Sequence, residues 1–115
     1  MHSVQLKGKE YELKYNNRAL FELETVLDSG IGAWIQDDSK LSSIKFVSAA
    51  IWAGRLHAEP KLRLNQVINE LDLKNFANYI ETIASALIEA LGYGEQVEDV
   101  DVDDVVNVGE DSKNV

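Results

Sequence analysis

The sequence of 115 residues contains no cysteine, one proline and only two histidines. The absence of cysteine excludes disulfides, thiolate zinc sites and cysteine nucleophiles, and it is typical of a reducing compartment. No apolar run approaches the ~20 residues that a membrane-spanning helix needs. The N-terminal stretch, MHSVQLKGKEYELKY, alternates polar and apolar residues and carries charges, unlike a signal peptide. These absences predict a soluble cytoplasmic protein with no membrane span.

The net charge of −9 is concentrated at the C-terminal end of the chain. Residues 95–115 hold eight acids against one lysine, which is a charge of −7 and leaves −2 for residues 1–94. The acids of this tail are Glu95, Glu98, Asp99, Asp101, Asp103, Asp104, Glu110 and Asp111. Basic residues are scattered and form no stripe for phosphates, so the sequence predicts no direct nucleic-acid binding.

The first fifteen residues alternate in the manner of a β-hairpin. Val4 and Leu6 precede the turn residues Lys7-Gly8-Lys9, and Tyr11 and Leu13 follow them with the same period of two. An isolated hairpin is marginal in water, so its apolar face must rest on the helices that follow.

The remainder up to residue 94 shows helical periodicity. Asn16 or Asn17 can cap a first helix that stops at Asp28-Ser29-Gly30, and GIGAWIQDDSK after it has room for one helical turn. The first helix has a predicted apolar stripe of Leu20, Leu23 and Leu27, and Phe21 and Val26 widen this stripe.

Three further helices are predicted after this segment. Ser39 or Ser42 caps an alanine-rich helix that ends before Pro60 and is apolar around most of its circumference, Ile44 included. Asn65 caps a short helix that buries Val67, Ile68 and Leu71, and Asp72 opens a longer helix that ends at Gly92-Tyr93-Gly94. The predicted fold is mainly α (α+β). An N-terminal β-hairpin packs on about four helices in a single domain, residues 1–94, and residues 95–115 form a disordered acidic tail.

The sequence contains few candidate catalytic residues and no recognisable catalytic motif. Of the two histidines, His2 lies at the chain terminus and His57 follows a helix, where a positive charge suits the helix dipole. No nucleophile elbow, phosphate-binding loop or histidine metal pair is present. The sequence therefore predicts a non-enzymatic protein without a cofactor.

The stretch DVDVDDVVNVGE has the ligand spacing of an EF-hand calcium loop. Oxygen donors stand at the ligand positions Asp99, Asp101, Asp103, Asn107 and Glu110. However, the sixth position, where the loop needs glycine, is Asp104, and no helix is predicted on either side. The pattern therefore indicates an acidic tail without a metal site.

The two tryptophans differ in what their surroundings indicate. Trp52 lies within the alanine-rich helix and is predicted to be core. Trp34, beside Ile35 in the glycine-flanked segment, either covers the helices or anchors a partner, since aromatic residues dominate interface hot spots. The candidate partner-binding residues are Trp34, Ile35, Glu98, Asp99, Asp101, Asp103 and Asp104.

The order of these parts resembles the small tail assembly chaperones of long-tailed bacteriophages and prophages. The matching stretches are Arg18-Ala19-Leu20 with Glu22-Leu23-Glu24, then Ile51-Trp52-Ala53-Gly54, and then Leu64 to Leu71. The resemblance covers about residues 8–92. Arg55 stands where that group usually has an apolar residue.

The resemblance implies a non-catalytic role in tail assembly. Proteins of this group bind the tape measure protein and recruit tail tube subunits in the bacterial cytoplasm, and they are absent from the finished virion. Many of them also exist as a frameshifted longer form. An acidic inhibitor that mimics DNA is the alternative interpretation, and deletion of residues 95–115 distinguishes the two. The sequence leaves self-association open.

Overall fold

A computed structural model describes residues 2–92 as a β-hairpin followed by six α-helices. This confirms the predicted fold class. The predicted domain boundary at residue 94 and the predicted disordered tail lie outside the described residues. The elements are β1 (Ser3–Leu6), β2 (Lys9–Glu12), α1 (Asn17–Leu27), α2 (Ile31–Ile35), α3 (Asp38–Leu41), α4 (Ile44–Arg55), α5 (Leu64–Glu70), a 3₁₀ turn (Leu73–Asn75) and α6 (Phe76–Leu91).

The hairpin is antiparallel, with Leu6 opposite Lys9 and Val4 opposite Tyr11. Its connection is therefore a two-residue turn of Lys7 and Gly8, and the predicted third turn residue already belongs to β2. Both turn residues have positive φ, 53° for Lys7 and 80° for Gly8, as the type I′ turns favoured in hairpins require. Glycine adopts this conformation freely, whereas lysine is strained in it.

Lys7→Asn should therefore raise the free energy of unfolding by about 0.5–1 kcal/mol, because asparagine tolerates positive φ better than lysine. Urea denaturation followed by circular dichroism measures the change. The matched control is Lys9→Asn, at an exposed strand position where asparagine is disfavoured and no gain is expected. An equal gain in both variants would show that charge, rather than turn geometry, is responsible.

The inner face of the hairpin packs on the helices. Val4, Leu6 and Leu13 are buried, as the alternation predicts. The chain after β2 is held by two backbone hydrogen bonds, from Leu13 N to the carbonyl of His2 at 2.8 Å and from Lys14 N to the carbonyl of Gly54 at 2.9 Å. The hairpin is thereby joined to the C-terminal end of α4.

Helix α1 begins where the sequence indicates. The Asn16 side chain accepts a hydrogen bond from Ala19 N at 2.8 Å, and the helix ends at Asp28, whose φ is 58°. Leu23 and Leu27 are buried and Leu20 is half-buried. The prediction that Phe21 widens this stripe was wrong, because Phe21 lies on the solvent side and is 64% exposed.

The segment between α1 and α4 forms two short helices instead of one turn. Glu24 Oε2 accepts a hydrogen bond from Ile31 N at 3.0 Å and so satisfies a free amide at the start of α2. The Asp37 side chain accepts hydrogen bonds from Ser39 N at 3.0 Å and from the Ser39 hydroxyl at 2.7 Å at the start of α3. These hydrogen bonds hold the pKa of Asp37 below its usual range.

Helix α4 is the central helix, as predicted. Ser43, rather than Ser39 or Ser42, is its cap, and the Ser43 hydroxyl accepts a hydrogen bond from Phe46 N at 3.1 Å. Residues 46–51 and 53–55 are all buried, so neighbours surround the helix beyond its first turn. Ile44 was predicted to be core, but it is 53% exposed because it precedes this enclosed stretch.

The C-terminal helices follow the predicted order with shifted starts. Arg63, rather than Asn65, is the residue before α5, and Gln66 Oε1 accepts a hydrogen bond from Arg63 N at 3.1 Å. Val67 is fully buried and Leu71 half-buried, whereas Ile68, predicted to be buried, is 43% exposed. Asp72 caps the 3₁₀ turn that leads into α6, and Gly92 ends α6 with a φ of 78°.

Two buried tyrosines hydrogen-bond across the fold. The Tyr79 hydroxyl of α6 donates to the carbonyl of Gln5 in β1 at 3.0 Å and accepts from Asp72 N at 3.2 Å. The Tyr15 hydroxyl donates to the carbonyl of Ala50 in α4 at 2.7 Å. Burial raises the pKa of Tyr15 well above the usual value for tyrosine, because the phenolate would have to form without water.

The raised pKa of Tyr15 predicts a loss of stability at alkaline pH. The unfolded chain releases this proton near pH 10 whereas the folded chain retains it, so the free energy of unfolding should fall above pH 10 by about 1.4 kcal/mol per pH unit. Below pH 10 this contribution is fully present.

Urea denaturation of the wild type and of Tyr15→Phe between pH 8 and pH 11.5 measures this effect. The variant should be less stable at pH 8 by about 0.5–1.5 kcal/mol, the worth of one hydrogen bond, and should lose stability more gradually above pH 10. Parallel curves for the two proteins would contradict the assignment to Tyr15.

Candidate partner-binding surface

Trp34 lies in α2 with its ring stacked on Phe46 of α4. The two ring centroids are 5.6 Å apart and the ring planes differ by 16°, an offset-stacked geometry in which the two rings attract each other. The indole Nε1 donates a hydrogen bond to the Ser29 hydroxyl. Trp34 therefore covers the core at this point, which is one of its two predicted roles, and it remains half-buried rather than fully enclosed.

The Trp34 surface, defined here as Trp34, Ile35, Lys40 and Leu41, is formed by α2 and α3. Its three apolar side chains are half-buried and pack against the core, so each has both a covered and an exposed part. The Lys40 ammonium lies 5.5 Å from the centroid of the Trp34 ring, within cation–π range. An apolar surface with an aromatic centre and a charged edge has the composition of a protein-binding site.

Within residues 2–92, four other large apolar side chains are exposed, each on a separate element. They are Phe21 of α1, Ile44 of α4, Ile68 of α5 and Leu73 of the 3₁₀ turn. Single exposed apolar residues are ordinary on protein surfaces. These four therefore add no defined binding site to the Trp34 surface.

Arg55 forms a buried ionic cluster at the C-terminal end of α4. Its side chain is 3% exposed, and its Nε and Nη2 donate to the two carboxylate oxygens of Glu59 at 2.9 Å. Its Nη1 donates to Glu70 Oε1 at 2.9 Å. The guanidinium carbon lies 3.6 Å from the centroid of the Tyr11 ring. The cluster thus joins the hairpin, α4 and α5.

Opposing effects act on the charge of Arg55. Burial disfavours the guanidinium charge, but the hydrogen bonds to Glu70 and Glu59 outweigh burial and raise the pKa of Arg55 above its usual value. The cluster supplies the charged partners that a buried arginine requires. Part of this cluster is visible in the sequence, because Glu59 is four residues from Arg55, a spacing typical of helical ion pairs.

The two histidines are engaged in separate contacts. His2 Nε2 lies 2.5 Å from Glu89 Oε1, and the hydrogen bond from His2 and its positive charge lower the pKa of Glu89. His57 Nε2 lies 3.0 Å from the backbone carbonyl of Glu12. Within residues 2–92, no group of three or more histidine, aspartate or glutamate side chains could hold a metal ion.

Two depressions in the described surface have mostly polar linings. A depression of about 290 Å³ lies between β1 and α6, lined by Ser3, Gln5, Asn75, Asn78 and Thr82 with Tyr79. A second one, of about 370 Å³, continues from Gln5 towards Lys7 and Asp72. Neither contains a paired nucleophile and base of the kind that nucleophilic catalysis needs.

Several predicted site residues lie outside the described part of the chain. They comprise the candidate calcium ligands Asp99, Asp101, Asp103, Asn107 and Glu110, together with the tail acids Glu98 and Asp104. Of the predicted partner-binding residues, the described part places only Trp34 and Ile35, and it brings them together in α2.

Comparisons with known proteins returned no relative. No family model, no curated protein and no solved structure matches this chain. Within residues 2–92, none of the helices has the length and apolar character needed to cross a membrane.

Proposed function

We propose that this protein is a tail assembly chaperone of a long-tailed bacteriophage or prophage. It acts without catalysis in the bacterial cytoplasm, binds the tape measure protein and helps to recruit tail tube subunits. It is absent from the finished virion.

The proposal rests on the positions, in the fold, of the residues that carry the resemblance to tail assembly chaperones. Arg18-Ala19-Leu20 and Glu22-Leu23-Glu24 fall on α1, Ile51 to Gly54 on the central helix α4, and Leu64 to Leu71 on α5 and the residue after it. The buried residues among them, such as Leu23, Ile51 and Val67, are those that hold the helices together. The resemblance thus extends to core positions, where sequence is constrained by packing.

The Trp34 surface is the proposed contact for the tape measure protein. A long helical client presents apolar side chains until it is assembled, and these would be covered by the exposed parts of Trp34, Ile35 and Leu41. The acidic tail, with its charge of −7, would keep the complex soluble through repulsion between complexes.

Co-expression with the tape measure protein of the same phage or prophage, which is a large protein, tests the function. We expect the fraction of the large protein that stays in the supernatant after centrifugation to rise several-fold when this chain is present. An unchanged soluble fraction would overturn the proposal. Loss of binding only to a DNA-binding protein, on deletion of residues 95–115, would instead favour the inhibitor that mimics DNA.

A matched pair of variants tests the surface separately from the function. Ile35→Ala removes part of the Trp34 surface, and Ile80→Ala truncates an equally half-buried isoleucine on α6. We expect only Ile35→Ala to reduce co-purification of the large protein, by about tenfold. If both variants retain co-purification, the client binds elsewhere although the chaperone function stands.

A further inference from the structure

Helix α5 is less enclosed than the central helix α4. Among its seven residues only Val67 is fully buried, while Asn65, Gln66, Ile68 and Asn69 are exposed. In α4, on which α5 packs, nine of the twelve residues are buried. Elements with few buried apolar contacts open at a lower free energy than the core does.

The segment that contains α5, residues 62–72, is held by the buried Val67, by the partly buried Leu62, Leu64 and Leu71, and by polar contacts near its two ends. At its start, Trp52 Nε1 of α4 donates to the carbonyl of Leu62 at 2.8 Å. Towards its end, Glu70 Oε1 accepts from Arg55 Nη1 at 2.9 Å, and Asp72 N donates to the Tyr79 hydroxyl at 3.2 Å.

The Arg55 cluster can lose Glu70 without leaving the guanidinium unpaired. Two of its nitrogens are bound by Glu59, and its face is covered by Tyr11, and neither residue belongs to the segment 62–72. Glu70 itself has a side chain that is 29% exposed, so water can take over its hydrogen bonds. Separation of α5 from α4 therefore breaks one ion pair but leaves no buried charge without a partner.

We propose that residues 62–72 form a strap that opens while the hairpin, α1, α4 and α6 stay folded, and that the Arg55–Glu70 ion pair is its latch. Opening uncovers the site on α4 that Val67 fills and the Arg55 guanidinium. This inference is independent of the proposed function.

Thiol labelling tests the strap, since the chain has no cysteine of its own. Val67→Cys places a thiol on the buried side of the strap, and Val47→Cys places one at an equally buried valine of α4. At neutral pH in the absence of denaturant, we expect the Val67→Cys thiol to react with Ellman's reagent at least about 100-fold faster than the Val47→Cys thiol.

Adding Glu70→Gln to each variant tests the latch. We expect labelling at Val67→Cys to accelerate about tenfold, the effect of losing one charged hydrogen bond, and labelling at Val47→Cys to accelerate by a similar factor, because the ion pair is also broken in the unfolded chain. Equal labelling rates at the two sites without Glu70→Gln would overturn the strap, because both thiols would then become accessible only by global unfolding. An unchanged labelling rate at Val67→Cys on adding Glu70→Gln would overturn the latch.

Discussion

Replacing Arg55 with alanine should lower the free energy of unfolding by about 3–5 kcal/mol, the largest effect that we expect from a single polar substitution in this protein. Four interactions with three residues are lost together: the two hydrogen bonds to Glu59, the one to Glu70 and the stacking on Tyr11. The two carboxylates are then left close together without a countercharge, and a cavity remains beside the Tyr11 ring. Urea denaturation at pH 7 measures the change.

Arg18→Ala is the matched control for Arg55→Ala. Arg18 also pairs with a glutamate four residues later, at 3.4 Å from Glu22, but its side chain is 75% exposed. An exposed pair of this kind contributes at most about 0.5 kcal/mol. If the two alanine variants were destabilised equally, the Arg55 cluster would contribute no more than a surface ion pair.

A second comparison separates charge from shape at position 55. Arg55→Lys keeps the charge but loses the planar fork that binds Glu59 through two nitrogens and stacks on Tyr11. We therefore expect Arg55→Lys to recover less than half of the stability lost in Arg55→Ala. Full recovery would mean that charge alone matters.

Gly54→Ala should lower the free energy of unfolding by about 1–3 kcal/mol, although alanine is the better helix former by about 1 kcal/mol. A Cβ at this position would lie 3.0 Å from Leu13 Cδ2 and 3.1 Å from both Leu13 Cβ and Tyr15 Cζ. These neighbours cannot move aside easily. Leu13 is bound through its backbone to His2, and the Tyr15 hydroxyl is bound to Ala50. Gly54→Val should cost still more.

Gly30→Ala provides the control for the glycine substitution. A Cβ at Gly30 would meet only Glu24 Oε2 at 3.8 Å, an ordinary contact, and Gly30 has a negative φ of −68°. We expect its free energy of unfolding to stay within about 0.5 kcal/mol of the wild type. A stable Gly54→Ala protein would show that the hairpin can shift away from α4.

Much of the fold could be predicted because its signals are local. The period of two around Lys7-Gly8, the asparagine cap at Asn16 and the glycine stop at Gly92 each depend on residues within a few positions of one another. The errors also have a local cause. Phe21, Ile44 and Ile68 are apolar residues next to a buried stripe, and periodicity alone does not locate the edge of the covered face.

The candidate site was less predictable than the fold. Trp34 lies in a short segment without periodicity, and its stacking on Phe46 depends on where α2 lies relative to the start of α4. The latch residue Glu70 carries no motif, because its partner Arg55 is fifteen positions away. Such pairings depend on the tertiary arrangement of helices, which the amphipathic pattern of each helix leaves open.

The sequence by itself determined the hairpin, the helical body, the enclosed central helix and the concentration of negative charge after residue 94, because these follow from periodicity, turn chemistry and composition. Only the tertiary structure decided that Tyr15 is bonded to Ala50, 35 positions away, and Tyr79 to Gln5, 74 positions away. It likewise decided that Arg55 is buried against Tyr11 and that a Cβ at Gly54 would lie within 3.1 Å of Leu13 and Tyr15. These contacts join residues distant in the chain, and they form because each buried polar group needs a partner that only the packed elements supply.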